Sequence, residues 1–196
     1  MENQKGTKCY LKDIIEVRWH GRGGQGSWTA SEVLARTAIY EGKYIQSFPE
    51  FGPERMGAPV KAYTRISDEP IRLHCAVYNP QVAAVMDPTL LATVPVTNGL
   101  GKTGILIINT PKEPKTIKEE LKMTEGNVWT VSATDIAMRI LGRAITNTAM
   151  LGVVTRATGI VKMESIEKSV KERFPEPLAE KNIGVIKEAY KEAKAE

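Results

Sequence analysis

The sequence has few of the residues that hold metals. Among 196 residues there are two cysteines and two histidines. Cys9 and Cys75 stand far apart and no C-x-x-C pair occurs, so this chain alone cannot ligate an iron–sulfur cluster or a four-cysteine zinc ion. His20 and His74 show no metal-ligand spacing. Sparse cysteine suits a reducing compartment, and the cytoplasm is the expected one. No apolar run is long enough to cross a membrane. The polar start, Met1 to Lys8, lacks the apolar centre of a secretory signal. Nucleic-acid binding would need a basic run interleaved with aromatics, and none is present. The Lys-rich stretch from Lys181 to Lys194 is mixed with Glu and reads as a solvated helix face. A net charge of +4 suits a polyanionic ligand or an acidic partner but selects neither.

What the chain does have begins at Ile14. An apolar run to His20 ends in GRGGQG, Gly21 to Gly26, and a helical pattern follows from Ser27 to Glu41. Strand, glycine turn and helix in that order gather backbone N–H groups and a positive helix end at one point, a cradle for phosphate. Gly21, Gly23 and Gly26 match G-x-G-x-x-G: one for the tight turn, one for close approach of a diphosphate, one for helix–strand contact. A tight turn without ligand is the plainer alternative. Arg22 and Gln25 project from the turn within reach of a phosphate, and the Ser27 hydroxyl suits either an anion or a cap.

The remaining pattern is α/β. Strands are expected at 44–48, 60–67, 82–86, 104–108 and 128–131. Val60, Ala62, Thr64 and Ile66 alternate with Lys61, Tyr63 and Arg65, and 71–75 is a candidate hairpin partner through Asp68-Glu69-Pro70. Helices are expected at 116–122, from a capping pattern at Ser132 to Leu141, at 147–157, 163–173 and 177–194. The fold class is therefore a single Rossmann-like, open, mostly parallel sheet with helices on both faces and an antiparallel hairpin insertion near 60–75. One domain spans 10–196, after a flexible segment at 1–9.

In such sheets ligands sit beyond the carboxyl ends of strands. Asp87 before Pro88 fits a turn or helix cap more simply than a ligand contact. Capping accounts for at least one of Asn147 and Thr148. Structure explains His20 better than catalysis does. In the Pro-rich loop Phe48 to Pro59, Arg55 could clamp a phosphate, or Phe48 and Phe51 could be core and the charges solvated. A nicotinamide enzyme would want an acid after the second strand. Glu50 is the only candidate, and a Pro-rich loop is an unusual place for it. No nucleophile–base pair or carboxylate pair emerges.

GRGGQG with TASEVLA, then EGKYIQSFPEFGPERMGAPVKAYTRI, DP-T-LL at 87–91 and NTAMLG at 147–152, resembles the gamma subunits of pyruvate:ferredoxin and related 2-oxoacid:ferredoxin oxidoreductases. The resemblance covers roughly His20 to Gly159. It implies membership of a complex that decarboxylates a 2-oxoacid on thiamin diphosphate, reduces ferredoxin through iron–sulfur clusters and forms acyl-CoA; pyruvate synthase is the type. The thiamin diphosphate, its Mg²⁺ and the clusters would belong to alpha, beta and delta partners. The sequence agrees, with no cluster cysteines and no G-D-G thiamin motif. This chain would help form the coenzyme A site, with Gly23, Gly24, Gln25, Gly26 and Ser27 facing the diphosphate and Arg55 in the basic position of the next loop. Alone it would be inactive. An independent NAD(P)-binding oxidoreductase and a purely structural subunit are the alternatives.

Overall fold

The computed structural model describes residues 14–50 and 56–196. The first nine residues and Arg55 lie outside the described residues. Strand β1 (Ile14–Arg22) leads through the glycine turn into α1 (Ser27–Ile39). Strands β2 (Tyr44–Pro49) and β3 (Pro59–Ser67) follow, then β4 (Val82–Val85) and a short 3-10 turn at Pro88–Ala92. Next come β5 (Ile105–Asn109), α2 (Pro114–Glu120), β6 (Asn127–Val131) and α3 (Ala133–Leu141). Helices α4 (Asn147–Thr158), α5 (Met163–Arg173) and α6 (Leu178–Glu192) precede a two-residue β7 (Lys194–Ala195).

The strands form one sheet in the order β2-β3-β1-β4-β5-β6-β7. β1, β4, β5 and β6 run parallel, while β3 is antiparallel to both β1 and β2, and β7 is antiparallel to β6. The mixed sheet agrees with the expected class. The hairpin partner differs: β3 pairs with β2, and 71–75 forms no strand. Pro70 and the short run after it had too little alternation to hold a ladder, whereas Tyr44–Pro49 pairs residue for residue with Ala62–Ser67. β3 also sits between β1 and β2, so the first crossover is split.

Alternation sorts the side chains by face. Val17 and Trp19 of β1, Ala62 and Ile66 of β3, Val82 and Ala84 of β4 and Ile107 of β5 pack with α1, α3, α4, α5 and α6 in the larger core. The opposite face over β4, β5 and β6 carries a smaller core of Ala83, Val85, Leu106, Ile108 and Val128, covered by Leu90 and Ile117 of the 3-10 turn and α2. Helices thus lie on both faces, but unevenly. Over β1, β2 and β3 the second face carries none of the described helices. There the side chains are Glu16, Arg18, His20, Gln46, Phe48, Tyr63 and Arg65, overlain by the segments around Cys75–Asn79 and Val94–Gly99.

A strong stop signal closes the helices where glycine adopts the left-handed region, at Gly142 after α3 and Gly159 after α4. The capping pattern at Ser132 works differently from expectation. Ser132 makes no side-chain cap bond; instead the Thr134 N–H donates to Asn109 Oδ1 at 3.2 Å, so the end of β5 caps α3.

Candidate functional site

The glycine turn lies at the carboxyl end of β1, as the strand order requires. Gly24 and Gly26 have φ of 94° and 80°, and Gly26 is the residue from which α1 starts. Both need the left-handed region, which side chains disfavour. Gly26 also lies against α4, since a Cβ there would meet Asn147 Nδ2 at 2.6 Å.

The amides of the turn divide into two sets. Arg22 N–H donates to Gln25 Oε1 at 2.7 Å, Gly23 N–H to Ala58 O at 2.9 Å and Gln25 N–H to Arg22 O at 2.9 Å. The α1 ladder begins with Ala30 N–H to Gly26 O. The N–H groups of Gly24, Gly26, Ser27, Trp28 and Thr29 have no acceptor among the described residues. All five residues line a cavity of about 640 Å³, closed by Pro49, Met56, Val60 and Lys61. Free amides at a helix start, opening on a space of that size, suit an anionic group of a sizeable ligand.

The side chains of the turn serve the turn itself. Arg22 Nε donates to Asp87 Oδ2 at 3.1 Å, Nη1 to Gly57 O at 3.0 Å and Nη2 to Thr89 Oγ1 at 2.7 Å. Gln25 Nε2 donates to the same Asp87 oxygen at 2.9 Å. Asp87 Oδ1 accepts from the Thr89 N–H and caps the 3-10 turn, the plainer of its two expected roles. Burial raises the Asp87 carboxyl, but the Thr89 hydroxyl, the Gln25 amide and the Arg22 charge outweigh it and hold it below its ordinary value. Ser27 is buried, and its hydroxyl donates to Met86 Sδ at 3.6 Å rather than capping α1. Gly21 is buried within β1. Of the residues singled out in the sequence, the cavity therefore gathers Arg22, Gly23, Gly24, Gly26 and Ser27, while Gly21 and Gln25 support them from behind.

Glu50 does not sit where a ribose-binding acid would. Its carboxylate accepts from the Tyr63 hydroxyl and pairs with Lys61 Nζ at 3.1 Å. Burial acts to raise it, but those two donors prevail and lower it. β3 parts it from β1.

Sequence reasoning missed the polar face behind the turn. Glu16, Arg18, His20 and Arg65 are all buried there. The signal was present: β1 alternates Glu16, Arg18, His20 with Val17, Trp19, matching the polar set Lys61, Tyr63, Arg65 of β3. Arg65 Nε bonds Glu16 Oε1 at 2.7 Å, Nη1 bonds Gln46 Oε1 at 3.0 Å and Nη2 bonds Cys75 O at 2.8 Å. Arg18 Nε donates to His20 Nε2 at 3.0 Å, which requires that nitrogen to be unprotonated.

Burial first, then the charges of Arg18 and Lys61, lowers His20 to about 3. The unfolded histidine protonates near 6.5. Between the two values only the unfolded chain takes up the proton. This site therefore makes stability full above about pH 6.5 and loses it as pH falls towards 3, at no more than about 1.4 kcal/mol per pH unit. Urea unfolding at pH 7, 5.5 and 4.5 is expected to show that loss, and His20→Gln is expected to flatten the slope. An equal slope in the variant would assign the acid sensitivity elsewhere.

Among the described residues no group of three or more His, Cys, Asp and Glu could hold a metal ion. No described helix is long and apolar enough to cross a membrane.

The sequence profile of the pyruvate ferredoxin/flavodoxin oxidoreductase family matches residues 16–192. The chain is 53% identical over 177 residues to the pyruvate/ketoisovalerate oxidoreductases common subunit gamma of Thermococcus kodakarensis, covering 90% of this chain and 96% of that one. It is 46% identical over 179 residues to the pyruvate synthase subunit PorC of Methanocaldococcus jannaschii, covering 91% of this chain and 97% of that one. Among solved structures, the pyruvate oxidoreductase subunit PORC of Thermotoga maritima superposes with a TM-score of 0.84 at 42% identity, over 93% of this chain and 98% of its own.

Proposed function

The chain belongs to the pyruvate ferredoxin/flavodoxin oxidoreductase family, and from that premise we propose that it is the gamma subunit of a 2-oxoacid:ferredoxin oxidoreductase that supplies part of the coenzyme A site. The complex would convert a 2-oxoacid, pyruvate in the first instance, and CoA into acyl-CoA, CO₂ and reduced ferredoxin. The names of its relatives as subunits make it one chain of several. Thiamin diphosphate, Mg²⁺ and iron–sulfur clusters would be held by alpha, beta and delta partners, and ferredoxin would receive the electrons.

One observation carries the CoA reading: five amides from Gly24 to Thr29, without an acceptor among the described residues, open into a cavity of about 640 Å³. The diphosphate of CoA would be received by those amides, with Gly24, Gly26 and Ser27 closest to it. Gly21, Gly23, Arg22 and Gln25 would shape the turn that presents them. Arg55 would add the positive charge that Arg22, committed to Asp87, does not bring. Lys61, at the cavity wall, is the other cation near it. The chain's own contribution is positional: it holds one substrate where its thiol end meets the partner's reacting centre, which raises effective concentration.

In the assembled enzyme, Arg55→Ala is expected to raise the KM for CoA by about tenfold or more, as loss of a charge-assisted phosphate contact implies. Decarboxylation of the 2-oxoacid should stay near wild type. The full chain alone should gain thermal stability from CoA and none from NAD or NADP. Unchanged CoA dependence would remove Arg55 from the site, and stabilisation by NAD in preference to CoA would overturn the reading.

A further inference from the structure

Two buried arginines lie on the sheet face that none of the described helices covers, and they are not equivalent. Arg65 has a carboxylate, Glu16, at 2.7 Å, and each of its nitrogens is engaged. Arg18 is 6% exposed, yet its partners are neutral: His20 Nε2 at 3.0 Å, Val96 O at 2.9 Å and Asn98 O at 2.6 Å. Among the described residues no carboxylate lies within 4.0 Å of Arg18, and its Nη1 has no hydrogen bond. Arg18 lines a cavity of about 580 Å³, bounded also by His20, Lys61, Tyr78 and Asn79, with Glu50 in its wall. Glu50 acts on Arg18 only from a distance, across the cavity, so this guanidinium has lost most of its water without a carboxylate in contact, and a ligand that brings one repays that cost.

We propose that this cavity binds a small organic monocarboxylate whose carboxylate completes the coordination of Arg18 at Nη1. A carboxylate matches a guanidinium edge in shape and charge. The volume suits a small molecule, not a single ion. His20 and the two carbonyls fix the guanidinium plane in advance, so little freedom is lost on binding. Glu50 sets the charge limit: its carboxylate in the same wall opposes a second negative charge, so phosphate and dicarboxylates should be refused. The cavity lies on the opposite sheet face from the free amides of Gly24 to Thr29, and this proposal does not depend on the coenzyme A reading.

The test is a titration of the full, ¹⁵N-labelled chain with sodium acetate and propionate, against succinate, inorganic phosphate and chloride at matched ionic strength. The monocarboxylates are expected to shift the Arg18 Nε–Hε resonance saturably and to leave that of Arg65 in place. Arg18→Met should weaken binding by about tenfold or more, measured by calorimetry. If that variant does not fold, the wild-type titration alone decides. An Arg18 resonance unmoved by either monocarboxylate overturns the proposal. So does a saturable shift of the Arg18 resonance by phosphate or succinate at concentrations as low as those of acetate, or undiminished acetate binding by a folded Arg18→Met chain.

Discussion

Glu16→Leu is expected to cost about 3–5 kcal/mol of folding stability, among the largest effects of any single change in the chain. Arg65 is 1% exposed and Glu16 is 3% exposed, so the charge left behind cannot recover its water. Gln46, the Cys75 carbonyl and the Phe48 ring at 5.3 Å still surround the guanidinium, but none of them is an anion. The double variant Glu16→Leu/Arg65→Met removes both charges and should recover part of the loss, leaving the hydrogen-bond partners of Arg65 unmet. Denaturant unfolding of the three chains gives the coupling energy. A single variant within about 1 kcal/mol of wild type would show that Arg65 has another counter-charge.

Gly152→Ala should also destabilise the chain, though less, for a steric reason. Helices α4 and α6 cross so closely there that an added Cβ would press on the backbone carbonyl of Ile186 and approach Tyr190 N at 3.2 Å. Backbone cannot rotate aside as a side-chain end can. Alanine is the better helix former by about 1 kcal/mol, but overpacking against a fixed wall typically costs about 1–3 kcal/mol and sometimes more. A net loss of about 2 kcal/mol, read as a lower unfolding midpoint, is the expected result. Gly184→Ala on α6 is the control: its Cβ would meet only Ile140 Cγ2 at an ordinary 3.8 Å, so helix propensity should prevail and the chain should gain stability. If both variants lose equally, helix contact at Gly152 is not the cause.

The parts of this structure that depend on local pattern were legible in the sequence. The first strand, the glycine turn and α1 follow from periodicity and glycine placement, and α5 spans Met163–Arg173 as its amphipathic pattern predicts. What was not legible depends on which elements meet. Nothing local says that β3 inserts between β1 and β2 rather than pairing with 71–75, because that choice is made by long-range ladder bonds. The alternation of β3 read only as one strand of an antiparallel hairpin; that Arg65 and Tyr63 are buried, against Glu16 and Glu50, needed the fold. Arg22 and Gln25 were plausible phosphate contacts until Asp87, more than sixty residues on, was seen to occupy both. The glycine motif marks where a ligand could be received, while the identity of the wall residues Met56, Val60 and Lys61 needed the fold.

The segment leaving β2 for β3 is fastened at three points. Pro49 is in register with Ala62, Gly23 N–H donates to Ala58 O at 2.9 Å, and Gly57 N–H returns to Gly23 O at 3.1 Å. Surface connections usually tolerate insertions and deletions because their slack is free. Here Ala58 and Gly57 are stitched to Gly23 itself, so a change that displaces that pair would also shift the bend from which α1 starts.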